Sequence, residues 1–258
     1  LSSRRLWIAW WTLTRKEVVR VLRIWTQTLL PPAITMGIYF MVFGRFLGGQ
    51  IRDIEGTPYI QFILPGLVMM SCITNSFSNV ASSFFSAKFQ RNIEELLIAP
   101  LPDWIIVLGY VAGGMVRGLL CGLVVAFVGL AFTSIPVVYP HWVFIYAFAS
   151  TSLFSLAGLI NGLLARKFDD VAIIPTFVLT PLTYFAGVFY SISLLPPTWQ
   201  KLSLANPILY MVDGFRFGFL GRSPSTNLGV GLTMLVILNL VFYVACLQLV
   251  RRGVGLRS

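Results

Sequence analysis

Charge is scarce in this chain. Asp, Glu, Lys and Arg make up 11% of its 258 residues, where a soluble domain carries about 25%. With 57% of the residues hydrophobic, a soluble globular fold is excluded and an integral membrane protein is expected. Acids are rarest: nine Asp and Glu stand against nineteen Lys and Arg, a net charge of +10. The basic residues recur in the breaks between apolar runs, not in one patch. That argues against a nucleic-acid surface and fits charges that set membrane topology. Histidine occurs once, at His141 in a turn, and there is no HExxH stretch, so no metal site is expected. There is no GxxxxGK[ST] loop either, hence no phosphate cradle belonging to this chain. The three cysteines, Cys72, Cys121 and Cys246, sit inside apolar segments without metal or redox spacing and read as small core residues. A charged helix precedes the first apolar run and no small-residue cleavage site follows it, so no cleavable signal peptide is expected.

What is present is a series of long apolar runs. Six of them, 25–46, 59–85, 105–133, 142–164, 171–190 and 228–250, are each near or above the ~20 residues that cross a bilayer. Pro31 and Pro32 should kink the first or mark a break before it. In the preceding segment, 4–23, Trp7, Trp11, Thr14, Val18 and Leu22 recur at steps of three or four, continuing to Trp25. Arg5, Lys16, Arg20 and Arg23 lie off that face. The pattern fits a helix in the membrane interface, with tryptophans at headgroup level and cations near anionic lipid, better than a cytoplasmic extension of the first span. Its apolar face is too broken by charge to be buried.

Residues 191–222 are ambiguous by hydropathy. The aromatic run 204–220 is broken by Asn206-Pro207, Asp213-Gly214 and Arg216, and could be a seventh span or a hairpin that dips in and returns. Charge decides. With six spans, thirteen Lys and Arg share one side, among them Arg4, Arg23, Lys88, Arg166, Lys167, Arg251 and Arg257, and five (Arg45, Arg52, Lys201, Arg216, Arg222) face the other. A seventh span would carry the basic tail outside, against the positive-inside tendency. The expected fold is therefore an all-α polytopic membrane protein, one domain over 1–258. It has six spans, cytoplasmic termini, an N-terminal interfacial helix and an outer re-entrant hairpin. Irregular backbone at membrane depth needs protein or a watery cavity around it, so the hairpin should cap a central pathway.

Inside the spans, polar residues are few enough to name. Ser71, Asn75, Ser78, Ser82 and Ser86 recur at steps of three and four along span 2, with Asn79 beside them. That stripe is either helix packing, with serines bonding back to their own carbonyls, or the lining of a pathway or subunit seam. Arg117 is the one basic residue deep in a span; it should face protein or water, with a structural partner or a substrate, or snorkel to the interface. Asp213 and Arg216, three apart, could pair on the outer hairpin. Between spans 2 and 3 lies a charged island, 88–104. Its core, Ile93–Leu101, reads as a short amphipathic helix stopped by Pro100 and Pro102. Glu94–Glu95 could mimic the paired acids of an intramembrane protease, but no histidines converge on them.

Two stretches carry a resemblance. FILPGLVMMSCITNSFSNVASSFFSAKFQRNIEELLIAPLPDW and ANPILYMVDGFRFGFLG resemble the permease subunits of ABC-2-type transporters, particularly the YadH-type bacterial inner-membrane permeases, and the likeness covers nearly the whole chain. It implies a six-span half that pairs with a second half, here a homodimer, and docks on two cytoplasmic ATPase subunits. Those subunits would hold ATP and Mg; this chain would bind no cofactor and catalyse nothing. The resemblance makes Asn92, Ile93, Glu94, Glu95, Leu96, Leu97 and Pro100 the coupling helix seated in a cleft of the ATPase. Arg166, Lys167, Asp169 and Asp170 become a second cytoplasmic contact, and 4–23 the connecting helix. Asn206, Pro207, Tyr210, Asp213 and Arg216 become the outer gate. Ser71, Asn75, Ser78, Asn79, Ser82 and Arg117 remain candidates for pathway or dimer seam. The implied function is export from a bacterial inner membrane; the aromatic-rich, weakly charged interior suits an amphipathic, lipid-linked or drug-like cargo. A secondary transporter or channel would need no ATPase, but would need ionisable residues within its spans.

Overall fold

The computed structural model describes residues 3–46, 48, 53–54, 56–98, 101–134, 136–222 and 226–255, without the side chains of Glu94, Glu95 and Leu97. Its helices are α1 (Ser3–Arg23), α2 (Trp25–Tyr39, continued by π-helical turns Phe40–Phe46), α3 (Tyr59–Phe89), α4 (Asn92–Ile98), α5 (Asp103–Leu130) and α6 (Pro140–Leu164). They are followed by α7 (Phe168–Ile174), a π-helical stretch Pro175–Leu179, α8 (Thr180–Tyr184), α9 (Pro197–Leu204), α10 (Pro207–Leu220) and α11 (Leu228–Arg251). Among the described residues the only β pairing is one bridge between Ile54 and Thr57.

Five helical stretches are long and apolar enough to cross a membrane: Trp25–Phe46, Tyr59–Phe89, Asp103–Leu130, Pro140–Leu164 and Leu228–Arg251. The remaining expected run, 171–190, is different. It is helical only from Phe168 to Tyr184, in pieces of 7, 5 and 5 residues, a length of about 25 Å at helical rise. Pro175 and Pro181 explain the interruption, since each removes a backbone donor from the ladder. The hydrogen-bond step widens there, and the Thr180 hydroxyl donates to the Pro175 carbonyl at 2.9 Å, filling part of the gap. At the N-terminal end, the break falls at Ile24, whose ψ turns to 35°, and α2 runs on through Pro31 and Pro32.

α3 is the centre of the bundle. Ile63, Leu67, Met69, Ile73, Val80 and Phe84 are fully buried, and α5 and α6 close on it from two sides. Small residues set the spacing. At Gly158 of α6 a Cβ would strike the Phe77 carbonyl of α3, so only glycine lets these backbones approach. α10 is enclosed by α3, α6 and α11, with Leu209, Met211 and Val212 fully buried.

Polar contacts tie the two ends differently. At one end, Lys88 Nζ donates to the carbonyls of Leu163 (2.9 Å) and Ala165 (2.7 Å), which are loose acceptors at the C-terminus of α6. Arg251 Nε donates to Asp103 Oδ2 at 3.2 Å at that same end. Both charged islands and the last turn of α11 therefore lie together. At the other end, the Tyr139 and Val138 amides donate to the Gly218 and Phe219 carbonyls at 2.8 and 3.2 Å, and Tyr146 Oη donates to the Leu228 carbonyl at 3.0 Å.

Candidate functional site

α1 docks on α5, and it does so on an unexpected face. Leu13, Thr14, Glu17 and Val21 are buried, whereas Trp7, Trp11, Leu22 and Trp25 are exposed. The tryptophan face expected at the membrane interface stays open, and the face that docks on the bundle carries an acid. Gly113 makes room for it: a Cβ there would stand 2.5 Å from Glu17 Cβ. Glu17, 2% exposed, accepts from Ser83 Oγ (2.7 Å) and from Arg20 Nη2 (3.0 Å) and Nε (3.3 Å). Arg20 Nη2 also donates to Asn79 Oδ1 at 2.9 Å. Arg117 Nη1 reaches the same oxygen at 3.4 Å. Three helices thus meet at Asn79, through two guanidiniums and one carboxylate. Sequence reading missed Glu17 and Arg20 as site residues. The available signal was a lone acid three residues before an arginine in a helix otherwise rich in bases.

The span 2 stripe divides in two. Ser82 Oγ donates to the Ser78 carbonyl at 2.7 Å, and Asn75 Nδ2 to the Ser71 carbonyl at 3.0 Å, which is local back-bonding. Ser71 and Asn79 are buried. Ser78, Ser82 and Arg117 instead line an open cleft of about 310 Å³, together with Phe85, Phe168, Val171, Ala172 and Pro175.

The charged island folds as expected into a short helix, α4, which follows α3 after a turn at Arg91 (φ 60°). Its apolar residues serve two directions. Ile93 is 2% exposed, and Leu96 packs beside it on the core of α3, α5 and α6; Ile98 is 84% exposed. The chain's own core thus covers Ile93 and part of Leu96, while Ile98 stands open. Pro100, and the side chains of Glu94, Glu95 and Leu97, lie outside the described residues, as do Arg52, Glu55 and Arg257. Asn92 donates to Gln90 Oε1 at 3.2 Å.

At the second island, Arg166, Lys167 and Asp169 are exposed. Asp170 Oδ2 accepts from the Arg166 and Lys167 amides at 2.8 and 3.0 Å. Those two N–H groups hold its carboxyl below the usual carboxylate range. Phe168 stacks edge-on to Phe85 and Phe89, at 4.9 Å each.

The far end is built around an ion pair. Asp213 and Arg216 meet at 3.2 Å and are 1% and 2% exposed. Arg216 also donates to the carbonyls of Phe62 (3.2 Å) and Gly187 (2.8 Å) and lies 3.9 Å over the Phe62 ring. Thr226 Oγ1 donates to Asp213 Oδ2 at 3.1 Å. A buried ion pair persists where further bonds satisfy it, and here they bind α10 to α3 and to the 185–190 segment. Asn206 caps α10 by accepting from the Ile208 amide at 3.0 Å, and donates to the Leu182 carbonyl. Pro207 occupies the first turn of α10, and Tyr210 Oη donates to the Leu204 carbonyl at 3.0 Å. Among the described residues no group of His, Cys, Asp and Glu could hold a metal ion.

Long apolar helices, amphipathic helices held to the bundle by one face and an enclosed hairpin define a multi-helix membrane protein. Residues 8–220 match the ABC-2 type transporter family, and the chain belongs to it. It is similar over nearly its full extent to the inner membrane transport permease YadH of Escherichia coli (strain K12). The identity is 54% over 257 residues, covering 98% of each chain. More distantly it is similar to nodulation protein J of Rhizobium meliloti (strain 1021), 26% identical over 252 residues, covering 95% of this chain and 93% of that one. Nodulation protein J of Rhizobium leguminosarum bv. viciae is 26% identical over 221 residues, 83% of each.

Proposed function

We propose that this chain is the membrane-spanning permease subunit of an ATP-binding cassette exporter in a bacterial inner membrane. In this reading 171–190 is the fifth of six spans, with 166–170 left on the cytoplasmic side, and 191–222 is the re-entrant gate on the outer face. Both termini are cytoplasmic. Two copies of the chain face each other, and two ATPase subunits dock below. The observation that carries the reading is α4. A short helix fixed to the bundle by Ile93 and Leu96, yet presenting Ile98 outward, transmits a push to α3 and α5 as a rigid lever and keeps an apolar tip for a partner groove. Closure of the ATPases moves α4, and α3 and α5 move with it because both ends of α4 join them. The polar junction at Asn79 carries that movement to α1. The Asp213–Arg216 pair holds the gate as one unit with α3, so both ends of the pathway share that helix.

The test is a pull-down of the tagged chain in mild detergent, with mass spectrometry of what accompanies it. An equimolar soluble chain bearing a GxxxxGK[ST] loop is the expected result. A chain that comes down alone, even after crosslinking through α4, favours an ATP-independent transporter. Buried Glu17, with the half-buried Arg20 and Arg117 beside it, supplies that second reading with ionisable groups in the bundle.

A further inference from the structure

The charges at the Asn79 junction do not balance. Arg20 and Arg117 share one amide oxygen, and the carboxylate present, Glu17, is bonded to Arg20 and Ser83. No described carboxylate lies within ion-pair distance of Arg117. Its contact with Asn79 is long, at 3.4 Å, and its Nε is buried with no acceptor. The Asn79 amide nitrogen, at the same junction, also lacks an acceptor. Donors and positive charge are in surplus, and a cation held away from water is costly unless paired. Arg117 is also the polar wall of the 310 Å³ cavity between α3 and α7. Ser78 and Ser82 flank it, Phe85 continues the same face of α3, and Phe168, Val171 and Pro175 come from the other side of the cleft.

We infer that this cavity binds an amphipath by its anionic head, with Arg117 as the counter-ion and the aromatic wall of Phe85 and Phe168 against the apolar body. A planar guanidinium with free N–H groups matches a phosphate or carboxylate head. An apolar body is required because five of the eight lining residues have no polar side-chain atom. As the seat of a transported cargo the site rests on the permease reading; as a binding site it does not.

The test uses the full chain in detergent, titrated with dodecyl phosphate, dodecanol and inorganic phosphate and followed by native mass spectrometry. Dodecyl phosphate should bind best, and Arg117→Gln should weaken it about tenfold or more while leaving dodecanol unchanged, the size of a lost charge-assisted bond. Arg117→Lys should recover part of the loss. Phe168→Ala, at a 57% exposed position, should weaken dodecyl phosphate but not inorganic phosphate. That variant keeps the test decisive even if Arg117→Gln fails to fold. A lipid with an anionic head that co-purifies and is displaced by dodecyl phosphate would identify a resident lipid as occupant. An empty cavity that fills on titration would identify exchangeable cargo. Equal dodecyl phosphate binding by wild type and Arg117→Gln, or by wild type and Phe168→Ala, overturns the proposal. So does inorganic phosphate binding as tightly as dodecyl phosphate. None of these readouts needs an ATPase, so a failed pull-down removes the permease reading and leaves the site standing.

Discussion

Glu17→Gln tests whether the junction holds α1 to the bundle. The substitution keeps the shape of the side chain and removes its charge, leaving Arg20 and Arg117 on one amide oxygen with no carboxylate nearby. Removing one partner of a fully buried pair costs about 3–5 kcal/mol. Here Glu17 is buried but the Arg20 side chain is 34% exposed, so Arg20 can turn toward water and reduce the loss to about 2–3 kcal/mol. For a chain of this size that corresponds to a fall of roughly 4–12 °C in Tm. The three cysteines supply the assay, since Cys72, Cys121 and Cys246 are free and buried and react with a thiol-sensitive dye only as the chain opens. Glu17→Gln paired with Arg20→Gln should recover most of the loss, because the mismatch of charge is what costs. Melting of Glu17→Gln within a degree or two of wild type would refute the argument that Glu17 is the junction's counter-ion.

Other expectations follow from single contacts. Ile98→Asp should leave folding within about 0.5 kcal/mol, since the position is exposed, and weaken ATPase capture about tenfold to a hundredfold, the worth of one buried aliphatic anchor; unchanged capture would remove Ile98 from the interface. Arg216→Lys should cost about 2–4 kcal/mol in a thermal melt, because an ammonium cannot reproduce the fork that joins Asp213, the Phe62 carbonyl and the Gly187 carbonyl. The Asp170 cap has a pH signature. Its folded pKa is depressed by two backbone N–H groups, so its stabilisation is complete above the unfolded value and is lost as pH falls through the folded one. Hydrogen-exchange protection of the Arg166 and Lys167 amides should accordingly persist below the ordinary carboxylate range, and loss of protection already near pH 5 would contradict the cap.

The sequence by itself determined the membrane class, five long bilayer helices to within a few residues, the amphipathic helix in the charged island and the spacing that lets Asp213 meet Arg216. These rest on local quantities: run length, period and i,i+3 spacing, which no distant contact can overrule. Tertiary structure decided the rest. Whether 171–190 crosses as one rod depended on Pro175 and Pro181 acting within a packed helix. The burial of Glu17 required a notch at Gly113, nearly a hundred residues away in the chain. Ile93 and Ile98 are equally apolar in sequence, and only the position of α4 against α3 and α5 turned one inward and the other out. Arg117 could be read as paired or free until the neighbours of Asn79 were known, because the balance of charge around a buried group is a sum over helices that the sequence keeps far apart.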